Sequence, residues 1–446
     1  MDVESTETNG NKRVFQRLGG GSAAGKVCKY WLQGSCIRHP CPYLHGDPSS
    51  HRQQQTQYDG AAPKRAQHYP RGGLVWRNPN TGGGGAGRGG PSKWGRGRGG
   101  PPGGGGGAGA ATAAGPAARK GPESICKYFL KGRCTFGESC KFVHSWSIGD
   151  DFSFLTLLDG HQKVISGIAL PSGSNKLYSG SADETVRIWD CESGQCIMVA
   201  KPGAEVGCII SEGPWVFIGI SNAVKAVNTQ TGVEMNLDGP LGQVYALVVG
   251  NDMLFAGVQD GKILAWKFSA ESNCFQPVAS LSGHQAAVVS LVVGAMRLYS
   301  GSMDSTIRVW DLGSLQCIQT LTDHTEVVMS LLCWDQFLLS CSLDRTIKVW
   351  VAAESGGLEV TYTHNEEQGV LVLAGMPDAH GKPVLLCSCN DNMVHLYDLP
   401  SFSERGKIFS KEEVRAIQIG PGGLFFTGDR TGELKVWKWL TNEAQS

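Results

Sequence analysis

A unit of roughly forty residues recurs through the second part of this chain, and that repeat restricts the fold more than any other feature. Val186-Arg187-Ile188-Trp189-Asp190 aligns with Ala226-Val227-Asn228, Ala265-Trp266-Lys267, Val309-Trp310-Asp311, Val349-Trp350-Val351, Leu396-Tyr397-Asp398 and Val436-Trp437-Lys438. The aligned positions lie 38, 39, 44, 40, 47 and 40 residues apart. From about residue 152 the chain runs in short alternating stretches of Val, Ile, Leu, Trp and Ser, broken by Gly and Asp every ten residues or so, which is an all-β pattern. Seven such units predict a mainly β fold, a seven-bladed propeller of four-stranded sheets. The segment Phe152-Ser153-Phe154-Leu155-Thr156-Leu157-Leu158 precedes the first unit and has no unit of its own. It is expected to complete the last blade beside residues 412–440, because a ring closed in this way leaves no long sheet edge exposed.

The best-preserved units pair an early Gly-His with a late Trp-Asp. Gly160-His161 leads to Trp189-Asp190, Gly283-His284 leads to Trp310-Asp311, and Asp323-His324 leads to the similar Trp350-Val351. On these motifs the region resembles the WD-repeat family. Units two, three, six and seven are degenerate, so the count of seven rests on spacing as much as on motif. His161, Ser179 and Asp183 have the composition of a catalytic triad, but the resemblance implies that these residues and Trp189 form a buried structural network. The set recurs as His284, Ser300, Asp304 and Trp310, and again as His324, Ser340, Asp344 and Trp350. No ring needs a triad three times, whereas a fully satisfied polar network fixes a unique packing. Neither an enzyme nor a small-molecule substrate is expected. The glycine runs contain no Gly-x4-Gly-Lys-Ser/Thr and so give no support for a nucleotide site. Nine cysteines lie in this region, including Cys191-x4-Cys196 and Cys387-x-Cys389; none has a His or further Cys at zinc-finger spacing, and most are expected to be small buried hydrophobes.

The 40 basic and 40 acidic residues cancel overall but are unevenly spread. Residues 1–150 hold 21 Lys/Arg and 8 Asp/Glu, whereas residues 151–446 hold 19 and 32, so a polyanion is expected to meet the first third. Within that third are two cysteine clusters, Cys28-x7-Cys36-x4-Cys41-x3-His45 and Cys126-x7-Cys134-x5-Cys140-x3-His144. Three thiolates and one imidazole make a closed tetrahedral Zn²⁺ site with no position for a substrate water, so two structural zinc ions are predicted. Segments of some twenty residues cannot form a core alone, and metal binding must supply their folding free energy.

The match extends beyond the ligands, through Cys28-Lys29-Tyr30-Trp31-Leu32-Gln33-Gly34-Ser35-Cys36 and Cys126-Lys127-Tyr128-Phe129-Leu130-Lys131-Gly132-Arg133-Cys134. The clusters resemble CCCH zinc fingers, a family that mostly binds single-stranded RNA. The resemblance places base-stacking aromatics at Phe136 and Phe142, with Lys127, Tyr128, Lys131, Arg133 and Lys141 around them. In finger one, Tyr43 keeps the second aromatic position and Arg38 stands at the first, beside Lys29 and Tyr30. Single-strand readers need flat side chains for splayed bases and cations for phosphate. Tyr128 or Phe129 could instead pack beneath the metal, since so small a finger has little other core.

Residues 71–121 contain 21 glycines with interspersed Arg, Pro and Ala, and cannot bury enough surface to offset their ordering entropy. Arg71-Gly72-Gly73, Arg88-Gly89-Gly90 and Arg96-Gly97-Arg98-Gly99-Gly100 offer sequence-tolerant charge and stacking for single strands. The expected divisions are a disordered tail at 1–25, finger one at 26–46, an Arg/Gly-rich linker at 47–122, finger two at 123–146, the propeller at 152–440 and a tail at 441–446. No run approaches the roughly 18 apolar residues of a membrane helix, and Met1-Asp2-Val3-Glu4-Ser5 lacks the order of a secretion signal. An intracellular protein without a membrane partner is expected, the nucleus favoured over the cytoplasm.

Two fingers, an Arg-Gly linker and a propeller in this order resemble the plant CCCH zinc-finger/WD-repeat proteins. The resemblance implies a non-catalytic adapter whose fingers bind single-stranded RNA and whose propeller docks proteins. One alternative is a DNA-binding transcriptional or chromatin factor. Another is a substrate receptor of a cullin-type ubiquitin ligase. Against the latter, such receptors often carry Trp-Asp-x-Arg, whereas this chain has Trp189-Asp190-Cys191-Glu192 and Trp310-Asp311-Leu312-Gly313.

Overall fold

The computed structural model describes residues 124–269, 271–354 and 356–440. The finger-one ligands Cys28, Cys36, Cys41 and His45, its contacts Lys29, Tyr30, Arg38 and Tyr43, the Arg-Gly linker and both tails lie outside the described residues.

In the first repeat unit, strands Ile165–Ala169, Lys176–Ser181, Val186–Asp190 and Cys196–Ala200 pair antiparallel in chain order. The second strand is buried from Leu177 onward, while Ile197, Met198 and Val199 of the fourth are exposed. Burial thus follows position in the sheet rather than residue type: Ser179 and Ser181 of the covered second strand are buried, while the apolar outer strand is left in solvent. A register shift falls just before the aromatic position of the third strand, at Ile188/Trp189, Ala265/Trp266, Val309/Trp310, Val349/Trp350 and Leu396/Tyr397. A bulge there bends the strand and re-aims its side chain, so each of these aromatics is buried. The Gly of the Gly-His motif lies against an arginine side chain. A Cβ on Gly160 would sit 2.6 Å from the Arg187 guanidinium, and one on Gly283 would sit 2.7 Å from that of Arg308.

The described strands form six sheets rather than the seven expected. Four sheets have four strands each, and the sheet built on residues 370–409 gains a fifth edge strand, Ser147–Ile148. The remaining sheet has six strands and contains both the second and third repeat units. Its long strands Trp215–Asn228 and Glu234–Gly250 run across the positions where a break was expected. Glu234–Asp238 pairs with Ala223–Val227, and Val244–Gly250 of the same strand pairs with Met253–Val258. The connection stays extended because it is itself paired: Ser221 lies opposite Gln243 and its hydroxyl donates to Oε1 at 2.6 Å. The Gln243 N–H in turn donates to Gln259 at 2.9 Å.

The segment Phe152–Leu158 becomes the outermost strand of the last sheet, as the sequence leads one to expect, running antiparallel to Leu434–Trp439 from Phe152↔Trp439 to Leu158↔Leu434. Phe152 is buried, its ring stacked 5.7 Å from Trp439 and edge-on to Phe425 and Trp437. Replacing it with Ala removes the largest apolar anchor of this strand and is expected to destabilise the ring by about 3–5 kcal/mol. Urea unfolding followed by tryptophan fluorescence measures this; a loss below about 1 kcal/mol would mean that the closing strand contributes little to the ring.

Candidate functional site

Finger two is built on a few backbone turns rather than a core. The Cys126 N–H donates to the Val143 carbonyl at 2.9 Å, and the Val143 N–H to the Ser124 carbonyl at 2.9 Å, which ties the two ends of the finger together. A single helical turn, Lys127–Leu130, follows Cys126. Gly132, at φ +64°, ends that turn and donates to the Phe129 carbonyl at 2.8 Å, directing the chain to Cys134. A short 3₁₀ turn, Gly137–Ser139, then delivers Cys140.

These turns bring together Cys126, Cys134, Cys140 and His144, with one ligand atom from each within 4.8 Å of the others. The fit to a metal ion is independent of spacing. His144 Nε2 is buried without a hydrogen-bond partner, which is costly unless an ion occupies that direction. Burial would raise the Cys126 thiol, but the Phe129 backbone, His144 and the Tyr128 backbone outweigh it and bring its pKa to about 6. Cys134 moves the other way: hydrogen bonding at the Phe136 backbone lowers it, yet burial and the sulfurs of Cys126 and Cys140 raise it more. Ionising one thiol of the cluster thus hinders the next, and a divalent cation removes that conflict.

The aromatic positions divide in a way that the sequence left open. Phe129 stacks on His144, with ring centroids 5.0 Å apart and planes 16° from parallel, so it is the ring that packs against the ligand set. Tyr128, Phe136 and Phe142 are 64%, 64% and 54% exposed. Lys127, Lys131, Arg133 and Lys141 are exposed on the same small module.

In the propeller, His161 Nδ1 lies 2.9 Å from Asp183, His161 Nε2 lies 2.8 Å from Ser179 Oγ, and the Trp189 indole N–H donates to that Oγ at 2.9 Å. The same contacts join His284 to Asp304 and Ser300, with Trp310 donating to Ser300, and join His324 to Asp344 and Ser340, with Trp350 donating to Ser340. A carboxylate can only accept, so Nδ1 carries the proton and Nε2 accepts from the serine hydroxyl. Ser179, Ser300 and Ser340 are fully buried, and no substrate can reach their hydroxyls without opening the sheet.

A fourth version was not identified from the sequence. Trp437 donates to Thr427 Oγ1 at 2.9 Å, and Ser410, standing where the other units have His, donates to Asp429 at 2.7 Å. Buried Lys435 bonds Glu433 at 2.7 Å and lies 4.7 Å from the centre of the Trp146 ring. Counting ten residues back from Trp437, the interval that separates Trp189 from Ser179, would have found Thr427.

Burial lowers His161, His284 and His324 below their ordinary value of 6.5, against the pull of the facing aspartates. For Asp183 and Asp304, burial acts to raise the pKa, but hydrogen bonds from the Thr185 or Thr306 hydroxyl, the backbone N–H of Gln162 or Gln285, and the histidine hold both at about 2. Asp344 is lowered in the same manner. Groups with depressed folded pKa values bind protons more readily in the unfolded chain, so their stabilisation is present above the unfolded values and is lost in acid. His395, raised by Asp391 and Glu404 against its burial, acts in the opposite sense but alone. The urea midpoint of the propeller is therefore expected to fall continuously as pH drops from about 6.5 toward 2. A flat profile over that range would contradict the network's protonation states.

Comparison with known proteins adds to this geometry. A CCCH-type zinc finger profile matches residues 124–145, and one described as an RNA-binding, Nab2-type zinc finger matches residues 28–46. A WD domain, G-beta repeat profile matches residues 152–190, and an IP5P C-F beta-propeller profile matches residues 218–347. The chain is 61% identical over 456 aligned residues to zinc finger CCCH domain-containing protein 17 of Oryza sativa subsp. japonica, covering 100% of both chains. It is 57% identical to protein 48 of the same naming series from Arabidopsis thaliana, over 99% of this chain and 98% of the other. Protein 63 from Arabidopsis thaliana is 56% identical, over 97% of each. With a Cys₃His finger in place and a ring of β-sheets behind it in sequence, the chain belongs to the plant family of zinc finger CCCH domain-containing proteins that join CCCH fingers to a WD-repeat propeller.

Proposed function

We propose that this chain is a non-catalytic RNA-binding adapter, whose fingers and Arg-Gly linker hold single-stranded RNA while the propeller docks protein partners. The observation that carries the reading is the exposure of Phe136 and Phe142, 64% and 54%, on a Cys₃His module surrounded by Lys127, Lys131, Arg133 and Lys141. Large rings left in water on so small a module cost free energy unless a flat partner covers them. Bases of a single strand supply that partner, and the cations neutralise the phosphates between them. The RNA-binding description of the profile matched by residues 28–46 supports the same role for finger one. In this reading each finger holds one structural zinc, and the divisions at 26–46, 47–122, 123–146 and 152–440 mark finger one, linker, finger two and propeller.

The proposal also treats the ring as seven repeat units, two of them fused in the six-stranded sheet. In support, the inner strands neighbour one another in a closed cycle: Ile165–Ala169, Cys208–Glu212, Glu234–Gly250, Val288–Gly294, Val328–Trp334, Val370–Pro377 and Val414–Ile419, which returns to the first. The acidic balance of residues 151–446, 32 Asp/Glu against 19 Lys/Arg, suits partners with basic surfaces. A nuclear location, the natural place to meet nascent transcripts, completes the reading.

Crosslinking the full chain to RNA in cells tests the central element. Each stacked base is worth about 1–3 kcal/mol, so Phe136→Ala/Phe142→Ala is expected to reduce crosslinking at least about tenfold. Crosslinking equal to that of the unaltered chain would exclude finger two as the RNA contact, and preference for single-stranded DNA of the same sequence in competition would move the ligand to DNA.

A further inference from the structure

The sixth repeat unit departs from the buried network of its neighbours in a consistent direction. Measured from its aromatic residue Tyr397, the position that holds Ser179 in the first unit holds Cys387, and the position of Ser181 holds Cys389. Likewise His395 stands where the first unit has Arg187, and Glu366, four residues before the inner strand Val370–Pro377, stands where it has His161. The substitutions exchange hydrogen-bonding groups for four side chains that ligate soft or borderline divalent metals.

The fold brings them together. One ligand atom each from Glu366, Cys389 and His395 lies within 4.8 Å of the others, the same closeness that the Cys₃His finger achieves. Cys387 Sγ is 3.7 Å from Cys389 Sγ and 3.7 Å from Glu366 Oε1, so a fourth ligand adjoins the three. All are secluded: Cys387 is 0% exposed, Cys389 1%, His395 8% and the Glu366 side chain 7%. An outer layer is already present. Tyr397 donates to Glu366 at 2.7 Å, and His364 Nε2 lies 3.5 Å from the same carboxylate. The two ring nitrogens of His395 face Asp391 at 3.1 Å and Glu404 at 3.3 Å. Whichever nitrogen turns to an ion, the other keeps a carboxylate partner, which is how protein metal sites orient their histidines.

We infer that the propeller holds a divalent zinc site of its own, with Glu366, Cys389 and His395 as ligands and Cys387 completing a tetrahedron. Ion binding releases to solvent the thiol protons and the proton on the ligating nitrogen of His395, which gives up its carboxylate partner, and no change of oxidation state is involved. One carboxylate, one thiolate and a neutral imidazole balance the charge of the ion, and a second thiolate leaves a single negative charge amid the donors Tyr397 and His364. The site is expected to lock the sixth unit to the fifth, since Glu366 lies in the connection between the strands Leu358–Asn365 and Val370–Pro377.

The test uses the full chain with both finger sites disabled by Cys36→Ser, Cys41→Ser, Cys134→Ser and Cys140→Ser. After reduction, reconstitution with zinc chloride and desalting, this variant is expected to retain about one equivalent of zinc by elemental analysis, and further Cys389→Ser/His395→Gln substitution to remove it. A finger-disabled chain that keeps its β circular dichroism but retains no zinc overturns the inference. So does a metal content unchanged by the Cys389→Ser/His395→Gln pair. If those substitutions prevent folding, native mass spectrometry of the unaltered chain decides: about three zinc ions support the site, and two or fewer exclude it.

Discussion

Closure of the ring is the constraint on which the rest of the propeller depends. Every sheet between residues 165 and 439 presents an outer strand and an inner strand, and the series has two ends that must meet. They meet through one antiparallel pairing, Phe152–Leu158 with Leu434–Trp439, contributed by segments almost three hundred residues apart. Around that pairing the sequence concentrates aromatic residues and a shared cation. Arg405 bonds Asp151 at 2.7 Å, Asp378 at 3.0 Å and Asp398 at 3.0 Å, and its guanidinium lies 5.2 Å from the centre of the Trp439 ring. A contact of such long sequence separation carries a loop-closure cost, which the dense packing at the seam offsets.

Two different physical solutions to ordering a chain stand side by side in this family. The propeller repeats a buried polar network, Trp to Ser to His to Asp, and surrounds it with apolar residues between neighbouring sheets. Its sixth unit has replaced the network with groups able to hold a metal. The finger has almost no core: among its described residues only Cys126 is buried. Its order must come from four ligands converging on one point, and this leaves its rings and cations free for other surfaces.

Much of this was legible in the residues themselves. The Trp189, Trp310 and Trp350 motifs repeat with their Gly-His or Asp-His partners, so a repeated β ring could be read from spacing and its polar network from the resemblance to WD repeats. The closing strand followed from the need to cover an edge. What spacing could not show was that the second and third units share a sheet, because pairing between Ser221 and Gln243 depends on two strands reaching each other through a connection that looks like a turn in sequence. The division of labour between Tyr128 and Phe129 was equally hidden, since adjacent aromatics on one helical turn differ only in direction. The Ser410, Thr427 and Asp429 variant escaped notice because its residue types changed and its carboxylate stands two residues, not four, after the Trp partner. The cluster at Cys387 and Cys389 was read as small buried hydrophobes, for its partners Glu366 and His395 come from other strands and connections.

The central claim is that a bound ion shapes finger two into a surface for unpaired strands. Its most direct test is the affinity of the full chain for a labelled single-stranded RNA, measured by fluorescence anisotropy with zinc in place, after removal by a chelator, and after zinc is restored. The account predicts that affinity collapses on removal and returns on restoration, since without the ion the exposed rings and cations lose their common arrangement. Affinity that is unchanged by stripping the metal contradicts it.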